Sequence, residues 1–263
     1  MPDYTASNRA LWNAWTAQHT DSDHHRDVAR FRATGSSLRP IERAELGDVS
    51  GKSLLHLQCN MGCDTLSWAR LGASVTGVDL SDAAIERGRS LATEAGLPAR
   101  FLQSDLYALP DALDEQFDIV YTSYGALCWL PDLDRWARLV ARYVKPDGIF
   151  YMVEMHPTSL MFAGDPTDEA GRRFEVAAPY FHRAEPLSDE DGRGNTVYGW
   201  TYGLGEVVTA LLDAGLRLDY LHEFPMSFYQ QFPALIHGDD EYWRWPATSG
   251  NTMPLLFSLR ARK

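Results

Sequence analysis

Residues 53–80 read SLLHLQCNMGCDTLSWARLGASVTGVDL, and the fold is decided there. The run 53–58 is short and apolar, bounded by Gly51 and the polar Asn60, which is the pattern of a buried strand. Leu66, Ala69 and Arg70 follow at helical spacing, and Gly72 supplies a C-terminal stop. Residues 73–80 form a second apolar run. Strand, loop, helix and strand within so few residues predict a βαβ unit with parallel strands.

The alternation continues outward. Residues 81–96 (SDAAIERGRSLATEAG) predict a helix with Ser81 as N-cap, Asp82 in the first turn and Gly96 just past the end. ARFLQ (99–103) and FDIVYTSY (117–124) predict the third and fourth strands. In PDLDRWARLVARYV (131–144), Leu133, Trp136, Val140 and Tyr143 share one helical face. KPDG (145–148) reads as a turn and IFYMVEM (149–155) as a fifth strand. LGEVVTALLDAG is a helix ending at Gly215, and RLDYLHEF and PLLFSLRAR are two strands with no helix between them, hence an antiparallel pair at a sheet edge.

The expected fold class is therefore α/β: a Rossmann-like, mostly parallel sheet of seven strands with an antiparallel last strand and helices on both faces. Four segments are expected. They are an N-terminal helical lid (1–50), a core (51–156), an inserted β-hairpin or lid (157–203) and the C-terminal part of the core with the final strand pair (204–263). The expected hairpin arms are FEVAAPYFHRAEP (174–186) and GNTVYGWTY (194–202), on either side of a turn-rich SDEDGRGN. Residues 225–253 read as an aromatic-rich loop.

Composition narrows the function. Of 263 residues, 36 are acidic and 24 are Lys or Arg, giving a formal charge of −12. Nucleic acid is an unexpected partner, because phosphate backbones are held by basic stripes and this chain has none longer than the RARK at 260–263. No apolar run approaches the ~20 residues that span a bilayer. The N-terminus lacks the basic and apolar regions of a signal peptide. Three cysteines make no disulfide framework, so the expected compartment is the cytoplasm. Cys59 and Cys63 lack companions for a metal site, and none is expected.

In an open α/β sheet, ligands bind beyond the carboxyl ends of the strands. The loop QCNMGCD (58–64) falls there, before a helix N-terminus. Asp79 ends the second strand, and a carboxylate ~20 residues beyond such a loop is placed to accept both hydroxyls of a ribose. Asp105, just past the third strand, can accept from an exocyclic amine, with Leu106 and Tyr107 flanking a flat ring. The three in order predict a pocket for a nucleoside-type cofactor.

These residues, with QSDL, FDIVYTSY and KPDGIFYMVE, resemble the class I S-adenosylmethionine-dependent methyltransferases over roughly residues 50–155. The resemblance implies S-adenosylmethionine as cofactor, the loop on its methionine moiety, Asp79 on the ribose and Asp105 on the adenine amine. The cofactor residues so implied are Trp12, Gln58, Cys59, Asn60, Gly62, Thr65, Asp79, Leu80, Ser81, Asp105, Leu106 and Tyr124. The loop departs from the family's acidic-x-Gly-x-Gly-x-Gly: the chain has His56, Gln58 and Asn60, and retains only Gly62. Side chains of Gln58 and Asn60 would then reach the cofactor's amino-acid end.

Methyl transfer from a sulfonium needs collinear reactants and little else, with a base only for a nucleophile that arrives protonated. His156, just after the fifth strand, is the expected base with Glu154 beside it; His24 and His25 are second candidates. The expected acceptor is a small molecule methylated on oxygen or nitrogen, and the hairpin offers a contact for a homodimer. Two other readings share the early strands: a protein that binds S-adenosylmethionine without transfer, and an NAD(P)-dependent oxidoreductase, which would call for Gly-x-Gly-x-x-Gly in the loop.

Overall fold

The computed structural model describes residues 3–18, 26–162, 174–181, 184–191, 194–250 and 252–263. Strands β1 (Ser53–Leu57), β2 (Ser74–Asp79), β3 (Arg100–Gln103), β4 (Phe117–Ser123) and β5 (Val144–Met155) pair in parallel, in the order β3-β2-β1-β4-β5. The sheet continues with β12 (Leu256–Arg262) and then β8 (Arg217–Phe224); β12 runs antiparallel to both its neighbours. This is the seven-stranded sheet expected, with the final strand inserted between β5 and β8.

The period-two side-chain alternation of the strands divides the core. Leu55 and Leu57 of β1 face one side, where they join Trp136 and Val140 of α6 (Leu133–Tyr143) and Val207 and Leu211 of α8 (Leu204–Asp213). Leu54 faces the other, with Trp68 of α4 (Cys63–Arg70) and Ile41 and Leu46 of α3 (Pro40–Leu46). The Leu133, Trp136, Val140 and Tyr143 face of α6 is wholly buried. Ser81 caps α5 (Asp82–Ala95) by accepting from the Ala84 N–H, and Gly96 ends it in the left-handed region.

Three local readings are corrected. KPDG does not interrupt the fifth strand: β5 runs through it, with an irregular register opposite 117–119 and Asp147 at φ 63. A hairpin is present, but its arms are β6 (Leu187–Glu190) and β7 (Thr196–Gly199), so the first arm comes from the polar stretch expected to turn. Residues 225–253 are not one loop. They carry a small antiparallel sheet of β9 (Met226–Ser227), β10 (Ile236–His237) and β11 (Trp243–Arg244), formed around buried Phe232, Tyr242 and Trp245. Burial of aromatic rings, not strand periodicity, organises it. The short helix α7 (Pro157–Leu160) was also not expected.

The N-terminal helix α1 (Tyr4–Gln18) lies between the core and the hairpin. Asn8 donates to the Tyr198 carbonyl (3.0 Å) and accepts the Tyr198 N–H (3.3 Å), so its side chain pairs with β7 much as a neighbouring strand would. On the other side Asn13 donates to Asp82 (2.8 Å) and accepts from the Ser81 hydroxyl (2.6 Å). Among the described residues no helix is long and apolar enough to cross a membrane. Helix α2 (Arg26–Thr34) packs on α4.

Candidate active site

Because β1 to β4 are parallel, their carboxyl ends and the loops after them share one edge of the sheet. A cavity of about 400 Å³ opens there, a size typical of small-molecule sites. Its floor comes from those loops and its roof from α1, through Tyr4, Asn8, Trp12 and Trp15. Trp12, Trp15 and Trp129 meet edge to face with ring centroids 5.0–6.0 Å apart.

The loop after β1 keeps a glycine-type backbone without the glycines. Gln58 (φ 55) and Asn60 (φ 50) are left-handed, a geometry that costs a non-glycine residue ~1–2 kcal/mol. Local bonds offset this. The Gln58 amide donates to the Ala126 carbonyl (2.8 Å), and the Asn60 N–H donates to Asp79 (2.7 Å). Gly62 is required at its position: at φ 72, an added Cβ would lie 2.4 Å from the Phe101 ring.

Nine of the twelve residues expected to hold a cofactor line this cavity: Trp12, Gln58, Cys59, Asn60, Asp79, Leu80, Asp105, Leu106 and Tyr124. Asp79 accepts the N–H groups of Asn60 and Ser81 (2.7 and 2.8 Å), while burial pushes its pKa up. Asp105 accepts the Tyr107 N–H (2.7 Å) and caps the 3₁₀ turn at Leu106–Asp111. Gly62, Thr65 and Ser81 stand behind the wall: Gly62 at the start of α4, Thr65 2.8 Å from the His56 ring, and Ser81 as the cap of α5.

The expected catalytic pair is corrected. Glu154 is buried, and its carboxylate accepts the N–H groups of Gly125, Ala126, Leu127 and Met155 at 2.5–3.2 Å. It braces the loop after β4 and leaves no lone pair directed at the cavity. His156 is also buried, with Nε2 2.9 Å from Glu223 and Nδ1 accepting the Thr158 N–H at the start of α7. Burial lowers its pKa, opposed by Glu223. Neither lines the cavity: Glu154 is taken up by the loop after β4, and His156, one residue past β5, by Glu223 of β8 and the start of α7. His24 and His25 lie outside the described residues.

Other groups reach the cavity instead. His56, buried on β1, lies with Nδ1 at Thr65 and Nε2 3.3 Å from the Ser123 hydroxyl; burial lowers its pKa to about 4, so it is neutral. Asp64, in the first turn of α4, joins it on the wall together with Asp27, Ser123 and Phe228. Beside Tyr124, Glu42 accepts the phenol proton (2.8 Å), and burial, with Asp64 next, pushes its pKa up to about 8. Asp64 carried a signal, an acid closing the loop 58–64, but one that reads equally as compensation of a helix dipole. Phe228 arrives from a distant segment and no local pattern marks it.

The methyltransferase domain family matches residues 55–152. A ubiquinone biosynthesis O-methyltransferase of Alkalilimnicola ehrlichii is 35% identical over 159 residues, 53% of this chain and 64% of that protein. One of Pseudomonas fluorescens is 32% identical over 157 residues, 53% of this chain and 67% of that protein. The chain thus spans about two thirds of the length of these relatives. Among solved structures, an S-adenosylmethionine-dependent methyltransferase of Mesorhizobium loti superposes with a TM-score of 0.62 at 24% identity, over 85% of this chain and 96% of that one.

The wall suits the cofactor of such enzymes. Carboxylates stand at two neighbouring strand tips with Leu80 and Leu106 beside them, and Gln58 Oε1 is buried with no partner among the described residues, an acceptor in want of a donor. Fold, strand-tip cavity and sequence likeness agree: the chain belongs to the methyltransferase domain family, the class I methyltransferases whose cofactor is S-adenosylmethionine.

Proposed function

We propose that this chain transfers a methyl group from S-adenosylmethionine to the oxygen or nitrogen of a small-molecule acceptor. The observation that carries the reading is the one cavity in which Asp79, Asp105, the loop after β1 and the roof of α1 converge. When bound, the cofactor supplies an electrophilic methyl on a sulfonium, open to in-line displacement.

The protein's part is binding, orientation and exclusion of water. Asp79 takes the ribose hydroxyls and Asp105 the adenine amine, with Leu80 and Leu106 on the ring faces. Gln58 and Asn60 contact the amino-acid end. Trp12 and Trp129 close over the cofactor, held down by the Asn13 bonds to α5. Tyr124 and Phe228, with ring centroids 4.5 Å apart, form an aromatic wall for the acceptor. The relatives named for ubiquinone biosynthesis are O-methyltransferases, which supports a hydroxyl acceptor. A basic group from β5 has no part in this scheme.

Titration calorimetry with S-adenosylhomocysteine and with NAD tests the cofactor, and mass spectrometry of a panel of phenols and amines incubated with enzyme and S-adenosylmethionine tests transfer. Binding of S-adenosylhomocysteine and not NAD is expected, with a gain of one methyl on some acceptor. Preference for NAD would overturn the proposal.

A further inference from the structure

Asp64 lines the cavity on the β4 side, since it accepts from Ser123 (3.0 Å) and Tyr121 (3.4 Å) through Oδ2. Its Oδ1 accepts from the Ser37 hydroxyl (2.5 Å). All three donors are neutral. Among the described residues no lysine or arginine lies within ion-pair distance of it, and Arg39 is engaged with Asp27 at 3.1 Å. His56, on the same wall, is neutral. A half-buried carboxylate on a cavity wall with only neutral donors leaves its charge to be met by a cation.

A second acceptor faces the same need. The Gln58 amide donates to the Ala126 carbonyl in the loop after β4, and its Oε1 is buried with no partner among the described residues. A ligand group that brings positive charge and several donors answers both, and an ammonium has three. Topology says which ammonium. Asp105 follows β3, and β2 and β1 stand between β3 and β4. A cofactor with its adenine at Asp105 and its ribose at Asp79 extends its amino-acid tail across β1 toward β4.

Resting on the cofactor reading above, we infer that Asp64 is the counter-charge for the α-ammonium of S-adenosylmethionine, with Gln58 Oε1 as a second acceptor. The carboxylate comes from the helix after the loop and is held in place by Ser37, Tyr121 and Ser123.

Calorimetry on the unchanged chain and Asp64→Asn tests this, using S-adenosylhomocysteine and its deamino analogue, which keeps adenosine, sulfur and carboxylate but lacks the ammonium. Asp64→Asn should bind S-adenosylhomocysteine roughly 10- to 100-fold more weakly, the range for a hydrogen bond to a charged group, and the deamino analogue as well as the unchanged chain does. Binding of that analogue also shows the variant to be folded. Equal weakening toward both ligands, or unchanged affinity for S-adenosylhomocysteine, would overturn the assignment while leaving the cofactor reading intact. Failure of the unchanged chain to bind S-adenosylhomocysteine would remove both.

Discussion

The Asn60 N–H donates to Asp79 Oδ2 across 2.7 Å, so the loop after β1 and the tip of β2 are one hydrogen-bonded unit. The same carboxylate holds the Ser81 N–H at the start of α5. Asp79 therefore orders the backbone of the cavity floor and presents charge to it. Asp79→Asn should weaken S-adenosylhomocysteine binding by at least about tenfold and lower stability by about 1–2 kcal/mol. Calorimetry and urea denaturation measure the two effects separately. An affinity loss no larger than the stability loss would deny Asp79 any contact with the ligand.

Gly62 supplies the second test of the loop. Alanine there meets both a left-handed backbone and the Phe101 ring. The expected cost of Gly62→Ala is about 2–4 kcal/mol, from strain plus overpacking, read from the denaturation midpoint. Adding Phe101→Leu should restore part of it, because only the overpacking component is relieved.

Stability should depend on pH through Glu42 and His56, with opposite signs. The folded protein holds Glu42 at about 8 against an ordinary 4.5, so it binds the proton more tightly than the unfolded chain. That contribution is complete below pH 4.5 and is lost as pH rises through 8, at up to ~1.4 kcal/mol per pH unit. His56, lowered to about 4 from 6.5, contributes stability above pH 6.5 that is lost as pH falls toward 4. Between pH 6.5 and 8 the Glu42 effect dominates this pair. Urea midpoints taken across that window should fall, and Glu42→Gln should flatten the fall.

His156→Ala separates support from chemistry. Its ring bonds Glu223 and accepts the Thr158 N–H at the start of α7, so the variant should lose about 1–2 kcal/mol of stability. S-adenosylhomocysteine affinity and turnover per folded molecule should stay within about twofold. A large loss of turnover without a loss of stability would return His156 to the mechanism.

The lid offers a last prediction. Asn13 accepts from Ser81 and Ala83 and donates to Asp82, joining α1 to α5. Asn13→Ala should raise the dissociation constant of S-adenosylhomocysteine by roughly three- to tenfold, mostly as faster release, since exposed hydrogen bonds contribute about 0.5–1.5 kcal/mol each. Stopped-flow quenching of the roof tryptophans follows the release.

The succession of β1 to β5 along the chain, the cap at Ser81, the antiparallel ending and the carboxylates at two strand tips were legible in residue order. Each rests on short-range physics: side-chain period, capping and the direction of parallel strands. Which side chains turn into the cavity was decided by tertiary packing. Glu154 is taken up by four backbone N–H groups, and His156, one residue past β5, by Glu223 and the Thr158 N–H, so both are consumed as supports. Asp64, Ser123 and Phe228 meet at one wall from three separate segments. A sequence pattern records what neighbours along the chain can do, whereas a cavity is lined by residues whose only relation is that the sheet and its lid brought them together.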